Sequence, residues 1–253
     1  MTGRTVCLCW VALALGGAVA GENGAEPGKP KVINAGRGGH NSRNLLARLD
    51  RDVLAHRPDL VVLMVGTNDV LNHGNAVPLK EYRANLGKLI KRVRAAKSRV
   101  LLATILPCHA PFLLSRHPAE FYGSDGPAGR IRKANAVVRA VAKATRVVVV
   151  DLHALFEARG HVGAERQSWL RNPANSRARD GVHPTAEGYQ AMAEAIASAI
   201  AKHRLPHRRI VCLGDSITYG AGMKGAGTAE GETYPAVLAR LLGGDRGSQK
   251  GAR

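Results

Sequence analysis

The chain alternates short apolar runs with longer amphipathic stretches. Five apolar runs predict β-strands: Lys31–Asn34, Leu60–Val65, Val100–Ile105, Val147–Val150 and Ile210–Leu213. Five stretches repeat apolar residues at helical spacing and predict helices: Ser42–Leu54, Lys80–Lys97, Ala128–Lys143, Thr185–Lys202 and Tyr234–Leu242. Strands that alternate with helices and are apolar on both faces predict a parallel sheet covered by helices on both sides.

The segments outside this pattern have a different character. Residues 1–20 combine Arg4, an apolar stretch and small residues before position 21, which is typical of a secretory signal peptide. An uncleaved membrane anchor is the alternative. Residues 21–30 predict a spacer, residues 31–242 a single domain, and residues 243–253 a disordered tail. We therefore expect a secreted or periplasmic protein that keeps no stable membrane anchor after signal cleavage.

The charge of the chain favours anionic partners. Its 253 residues carry a formal net charge of +18, which would suit an acidic glycan. The basic residues are dispersed, and the densest stretch, residues 80–99, also has apolar residues at helical spacing. Most of these charges are thus expected on the solvent face of a helix. With no zinc-finger or RNA-binding signature present, we predict no dedicated nucleic-acid site.

Four polar stretches stand at the ends of predicted elements. They are NAGRGGH at residues 34–40, GTND at 66–69, DGVHP at 180–184 and GDS at 214–216. Ligands of open α/β sheets bind beyond the carboxyl ends of the strands, so we expect the four stretches on one face. Taken singly, each is equally well explained as a turn or a helix cap.

These stretches supply the residue types that acyl transfer needs. Ser216 is a candidate nucleophile, and a serine hydroxyl needs a base to take its proton. His183 and Asp180, three residues apart, supply a base and a group to orient it. The Ser216 N–H, the Gly39 N–H and the Asn68 amide are candidate donors to a developing oxyanion.

Several neighbouring polar residues are given lesser roles. Asp215 is expected to be structural, because its side chain cannot easily point the same way as that of Ser216. His40, His73 and His109 follow strands and are possible substrate contacts, with plain loop polarity as the alternative. Their spacing matches no ligand motif, so we predict no metal and no cofactor.

Taken together, the four stretches resemble the conserved blocks of the SGNH hydrolases, the GDSL esterase/lipase superfamily. GDSITYG resembles the first block, with Ser216 matching the nucleophile, and NAGRGGHNS the second. Gly39 matches the oxyanion glycine there, with Gly36 and Gly38 as alternatives. GTND resembles the third block, with Asn68 matching the oxyanion asparagine. DGVHP resembles the fifth block, with Asp180 matching the acid and His183 the base.

The resemblance implies a three-layer α/β/α sandwich with a mainly parallel, flavodoxin-like, five-stranded sheet. The order of the blocks departs from the family, because the first block comes last here. We interpret this order as a circular permutation, with the GDS strand and its helix at residues 209–242. A fragment of a tandem protein and a domain-swapped molecule are the competing interpretations.

The function expected from the resemblance is that of a secreted serine esterase. It would hydrolyse small-molecule or polysaccharide esters through an acyl-enzyme, with short acyl or acetyl groups on carbohydrate favoured. A lipase or lysophospholipase-type esterase is one alternative. A non-catalytic protein that binds polyanions on the same fold is the other.

Overall fold

The computed structural model describes Met1, Gly3 and residues 29–159 and 162–244. The remainder of the predicted signal peptide, residues 21–28 of the predicted spacer and residues 245–253 of the predicted tail lie outside the described residues. Among the described residues, no helix has the length and apolarity needed to cross a bilayer.

The centre of the fold is a parallel sheet of five strands. The strands are β1 (Lys31–Gly36), β2 (Leu60–Met64), β3 (Arg99–Ala103), β4 (Val148–Val150) and β5 (Arg209–Gly214). Their order in the sheet is β1-β5-β2-β3-β4, and every neighbouring pair is parallel. The predicted parallel sheet is confirmed, with each predicted strand shifted by no more than two residues at either end.

The last strand in the chain lies inside the sheet. Val211 of β5 pairs with Ile33 of β1 on one side and with Val61 of β2 on the other. Residues 210–213 are all buried, which explains why this short strand is a continuous apolar run. The insertion of β5 places the end of this strand beside the ends of β1 and β2.

Helices cover both faces of the sheet. Their bounds are α1 (Ser42–Asp52), α2 (Thr67–Leu71), α3 (Leu79–Ala95), α4 (Ala110–Leu114), α5 (Ala119–Tyr122), α6 (Gly126–Thr145), α7 (Leu152–Ala158), α8 (Pro173–Ser176), α9 (Ala186–Lys202), α10 (Ser216–Tyr219) and α11 (Tyr234–Leu242). One apolar core packs α1, α3 and α6 against one face, and a second packs α7, α9 and α11 against the other. The expected three-layer sandwich is confirmed.

The apolar cores show why β2 is hydrophobic throughout. Val61 and Leu63 point into the first core, whereas Leu60, Val62 and Met64 point into the second. The helices absent from the sequence-based expectation are short, between four and seven residues. Such segments span too few turns to show a helical period. Two of them, α2 and α10, begin just beyond β2 and β5 and carry candidate site residues.

Candidate active site

Three side chains from two loops form a continuous hydrogen-bonded chain, here called the triad (Ser216, His183 and Asp180). Ser216 is the first residue of α10, directly beyond the end of β5. Its Oγ lies 2.8 Å from Nε2 of His183. The Nδ1 atom of His183 lies 2.9 Å from Oδ2 of Asp180. The structure thus brings together the three residues that the sequence singled out.

The environment of Asp180 keeps it ionised. Its Oδ1 accepts the backbone N–H groups of Val182 and His183 at 3.0 and 2.9 Å. Burial by itself would raise the pKa of Asp180, but the His183 ring and these N–H groups outweigh burial and lower the pKa to about 2. An ionised Asp180 holds the proton of His183 on Nδ1, which leaves Nε2 free to take the proton of Ser216.

The turn that carries Asp180 and His183 requires a glycine. Gly181 has a φ of +73°, in the left-handed region that favours glycine. A Cβ at this position would come within 3.0 Å of His109 and Phe112. The His109 backbone N–H donates to the Gly181 carbonyl at 2.8 Å. The loop after β3 therefore packs against this turn and supports it.

Three candidate oxyanion donors retain unused N–H groups. Asn68, in α2, donates one amide hydrogen to the His40 carbonyl at 2.9 Å. An amide nitrogen has two hydrogens, so a second one remains. The backbone N–H groups of Ser216 and Gly39 make no hydrogen bond within the described residues. All three donors belong to segments that follow the carboxyl ends of β1, β2 and β5.

The structure separates Gly36 from the other two glycines of its loop. The Gly36 N–H already donates to Oδ1 of Asn34 at 2.9 Å. A Cβ on Gly36 would lie 2.1 Å from the backbone nitrogen of Tyr219, so this glycine permits close packing of α10. Gly39 is exposed, with a φ of +74° and open space in front of its α-carbon. Gly39 remains a candidate donor, and Gly36 does not.

Two buried carboxyl groups lie behind the loops. Asp69 accepts hydrogen bonds from both the backbone N–H and the hydroxyl of Ser42, which ties α2 to α1. Asp215 caps α10, accepting the Ile217 N–H at 2.9 Å. Its Oδ2 has no hydrogen-bond partner among the described residues, although the nearby Thr67 side chain acts to lower the pKa of Asp215. Burial raises the pKa of each carboxyl to about 6.

Arg48 is a supporting residue that sequence reasoning missed. It is only 4% exposed, and it donates to the carbonyls of Ala35 and Gly214, both at 2.8 Å. Its Nε lies 3.1 Å from Nδ1 of His40. One guanidinium therefore joins the ends of β1 and β5, just before the Gly39 loop and Ser216. No local pattern signals this role, because Arg48 stands among the charged residues of an amphipathic helix.

The histidines outside the triad contact other residues of the surrounding loops. The ring of His40 accepts from Arg48, and burial followed by the charges of Arg48 and Arg37 lowers its pKa. His73 and His117 bring their Nδ1 atoms within 3.0 Å of each other. Within the described ranges, no group of three metal-ligating side chains is present. Contact of His40, His73 or His109 with substrate remains a prediction.

A cleft of about 750 Å³ lies beside Arg171, a neighbour of Asp180. Arg171, Trp169, Thr185 and Met223 are among its lining residues. Nη1 of Arg171 lies 3.9 Å from Oδ2 of Asp180 and donates to the Ala221 carbonyl at 3.3 Å. Arg171 thus lines the cleft and also lies beside the acid of the triad, whereas the triad residues themselves are not among the lining residues. Sequence reasoning left Trp169 and Arg171 unassigned, since both belong to an irregular segment.

Comparisons with known proteins agree with this geometry. Residues 13–191 match the GDSL-like lipase/acylhydrolase family. The uncharacterized lipoprotein YqeF of Bacillus subtilis is 31% identical over 186 residues, covering 68% of this chain and 74% of that protein. An acetylxylan esterase of Geobacillus stearothermophilus is 28% identical over 173 residues, covering 65% and 69%.

A solved structure shows the same likeness. The crystal structure of a GDSL-like lipase from Bacteroides thetaiotaomicron is 31% identical, with a TM-score of 0.50 over 65% of this chain and 73% of that one. The segment that matches the family contains Asn68, Asp180 and His183 and stops before β5. Ser216 lies outside that segment, although it lies against His183 in the folded chain.

Proposed function

The chain belongs to the GDSL-like lipase/acylhydrolase family and is an ester-hydrolysing enzyme, and from this premise we propose that Ser216 is its nucleophile. His183 takes the hydroxyl proton through Nε2 as Oγ attacks the ester carbonyl, and then gives that proton to the leaving alcohol. Water hydrolyses the resulting acyl-enzyme, again with His183 as base. The observation that carries this proposal is the hydrogen-bonded chain from Ser216 to Asp180.

The oxyanion is held in this proposal by three donors. They are the backbone N–H groups of Ser216 and Gly39 and the remaining amide hydrogen of Asn68. Each is unused by the described protein and follows the carboxyl end of a different strand. Preorganised donors of this kind stabilise charge that develops only in the transition state.

The experiment that tests the assignment is the variant Ser216→Ala with p-nitrophenyl acetate as substrate. We expect kcat to fall by about 10⁴-fold or more, because the Ser216 hydroxyl is the one that contacts His183. Ser98→Ala, which removes a buried hydroxyl far from the triad, is the control and should keep its activity. Unchanged turnover in Ser216→Ala would refute the assignment.

The favoured substrates are short acyl or acetyl esters on carbohydrate. The named acetylxylan esterase relative supports this choice, and so does the cleft beside Arg171, whose lining combines Trp169 with polar groups. An indole face with polar neighbours suits a sugar ring better than a long acyl chain. Rates on acetylated xylan that exceed rates on long-chain p-nitrophenyl esters would support it. The reverse order would favour a lipase or lysophospholipase-type esterase.

We also propose that the chain is an intramolecular circular permutant of the family fold. The support is the sheet order, in which β5 lies between β1 and β2, and the family match that ends before β5. A mass measurement by size-exclusion chromatography with light scattering tests it against domain swapping. An active monomer supports the permutant, whereas an obligate dimer that loses activity on dilution supports the swap.

We also propose that the protein is secreted to the cell exterior or to the periplasm. It rests on the signal-like composition of residues 1–20. Fractionation of expressing cells followed by N-terminal sequencing tests it. A mature N-terminus near residue 21 in the exported fraction is expected, and an intact N-terminus retained in the membrane would favour the anchor.

A further inference from the structure

The amino-end edge of the sheet, where all five strands begin, is lined with positive charge. Lys31 is the first residue of β1, Arg99 the first of β3 and Arg209 the first of β5, and Arg208 directly precedes β5. Arg146 lies two residues before β4. Because the strands are parallel, their first residues share one edge of the sheet. All five of these side chains belong to exposed residues.

Helix ends add further cations to the same edge. Arg57, Lys97, Arg146 and Arg204 follow helical segments and have φ angles of 47°, 62°, 53° and 49°. Left-handed positions after helices are usually glycine or asparagine, so basic side chains at four of them are unusual. A cation near a helix carboxyl end is favourable. Stabilisation of a helix carboxyl end does not explain the positive charges of Lys31, Arg99 and Arg208, because these residues stand at or just before strand starts.

Little on this edge neutralises the charge. Lys31, Arg99, Arg146 and Arg208 form no ion pair within the described residues. Asp59 is the acidic residue that precedes β2, and its Oδ2 accepts the Arg209 backbone N–H at 2.8 Å. The histidines nearby, at positions 56, 203 and 207, are exposed.

The surface formed by Lys31, Arg99, Arg146, Arg204, Arg208 and Arg209, here called the basic edge, is also concave. A cleft of about 370 Å³ is lined by Lys29, Lys31, Asp59, Arg208 and Arg209. A second, smaller cleft is lined by Arg94, Arg99 and Arg146 together with apolar residues. Concave surfaces of one charge sign concentrate oppositely charged ligands.

We propose that the basic edge binds an acidic polysaccharide and so holds the enzyme on an anionic matrix. The triad lies at the opposite edge, about 16–20 Å away for strands of this length. The basic edge is therefore a docking surface separate from the ester-binding site. The choice of a polysaccharide among polyanions rests on the proposed activity toward carbohydrate esters.

The spacing and composition of the surface favour this polymer over nucleic acid. Neighbouring strands are about 4.8 Å apart, so Lys31 and Arg209 at the starts of β1 and β5 match roughly one charge per sugar, whereas Asp59 precedes β2 between β5 and β3. Duplex DNA carries one charge per about 1.7 Å. The segments at this edge, residues 29–31, 56–59, 94–99, 143–147 and 202–209, contain no phenylalanine, tyrosine or tryptophan on which bases would stack.

The test compares two triple variants that change net charge equally. The edge variant carries Lys31→Glu, Arg99→Glu and Arg208→Glu. The control variant carries Arg83→Glu, Lys88→Glu and Lys91→Glu, at exposed positions of α3. Binding to polygalacturonate is measured by isothermal titration calorimetry at two salt concentrations, with p-nitrophenyl acetate turnover and Tm recorded for each protein. Polygalacturonate contains no ester, so binding is read independently of hydrolysis.

We expect the edge variant to bind polygalacturonate about tenfold or more weakly than the control variant, with a smaller salt dependence and unchanged ester turnover. Equal weakening in both variants would overturn the proposal, because net charge alone would then explain binding. Tighter binding of wild type to duplex DNA or to phosphatidylglycerol vesicles, at equal concentration of charged groups, would also overturn it. Loss of ester turnover in Ser216→Ala concerns the triad alone and leaves this result unaffected.

Discussion

The two edges of the sheet are built from the same strands but differ in the kind of polar group they carry. The carboxyl-end edge gathers buried or half-buried groups that bond one another, such as His183 with Ser216 and Asp69 with Ser42. The amino-end edge carries exposed cations such as Lys31 and Arg99 without ion-pair partners among the described residues. Fixed geometry suits a reaction, whereas exposed charge suits reversible binding of a polymer.

Substitutions at the carboxyl-end edge should therefore change turnover, and those at the amino-end edge should leave it intact. After Ser216→Ala, the largest effect is expected for Asp180→Asn, which removes the charge that keeps the His183 proton on Nδ1. We expect kcat to fall by about 10⁴-fold toward p-nitrophenyl acetate. Asp59→Asn is the matched change at the other edge, where it should cost less than about twofold. Similar losses of kcat in Asp180→Asn and Asp59→Asn would contradict the idea that only the carboxyl-end edge takes part in turnover.

The next largest effect is expected for Asn68→Ala. The variant loses one oxyanion donor and the hydrogen bond to the His40 carbonyl, so kcat should fall by about 10²- to 10³-fold with a smaller change in KM. Ser98→Ala removes a hydroxyl that donates to the Pro58 carbonyl at the amino-end edge. It should lower the Tm but keep kcat. A change in KM alone in Asn68→Ala would contradict an oxyanion role.

Arg48→Lys tests whether the carboxyl-end edge is positioned as a unit. A lysine ammonium cannot reproduce the fork that reaches the Ala35 and Gly214 carbonyls and the His40 ring. We expect about a tenfold loss in kcat with little change in KM. Arg51→Lys, on the same helix, is the control and should be neutral, because Arg51 shares with Arg48 the bond to Asp52 but, within the described residues, reaches neither strand-end carbonyl. If Arg48→Lys lowers the Tm without lowering kcat, Arg48 supports the fold and not the site.

The last prediction concerns the free energy of unfolding and not turnover, and it is a dependence of stability on pH. The pKa of Asp215 is about 6 in the folded chain against an ordinary value of 3.8, so the unfolded chain releases this proton first as pH rises. Asp215 thus lowers the free energy of unfolding by about 2–3 kcal/mol between pH 4 and pH 6. Urea unfolding at pH 4, 5, 6 and 7 gives the free energy of unfolding at each pH, and this free energy should fall less with rising pH in Asp215→Asn than in wild type. An equal fall in both proteins would mean that Asp215 titrates normally.

Much of this could be predicted from the sequence. The five strands, the longer helices and the sandwich followed from the pattern of apolar residues, because central parallel strands are buried on both faces. The chemical groups followed from four short polar stretches. Ser216, His183 and Asp180 meet as expected, since each stands at an element end on the same edge of the sheet.

Other features depended on contacts between distant parts of the chain. Arg48 bonds the Gly214 carbonyl, 166 residues away, so its helix gives no sign of that partner. The exclusion of Gly36 as a free donor required knowing that α10 packs against it. The basic edge could not be predicted from the sequence either, because its cations are dispersed along the chain and come together only at the strand starts.

The sequence by itself determined which residue types are present and which segments are strands or helices, since period and local chemistry are properties of neighbouring residues. The tertiary structure alone decided where β5 inserts, that the Gly36 N–H is already bonded, and which charges share an edge. These depend on how strands pair across the sheet, and the pairing of β5 with β1 and β2 joins segments about 150 or more residues apart in the chain.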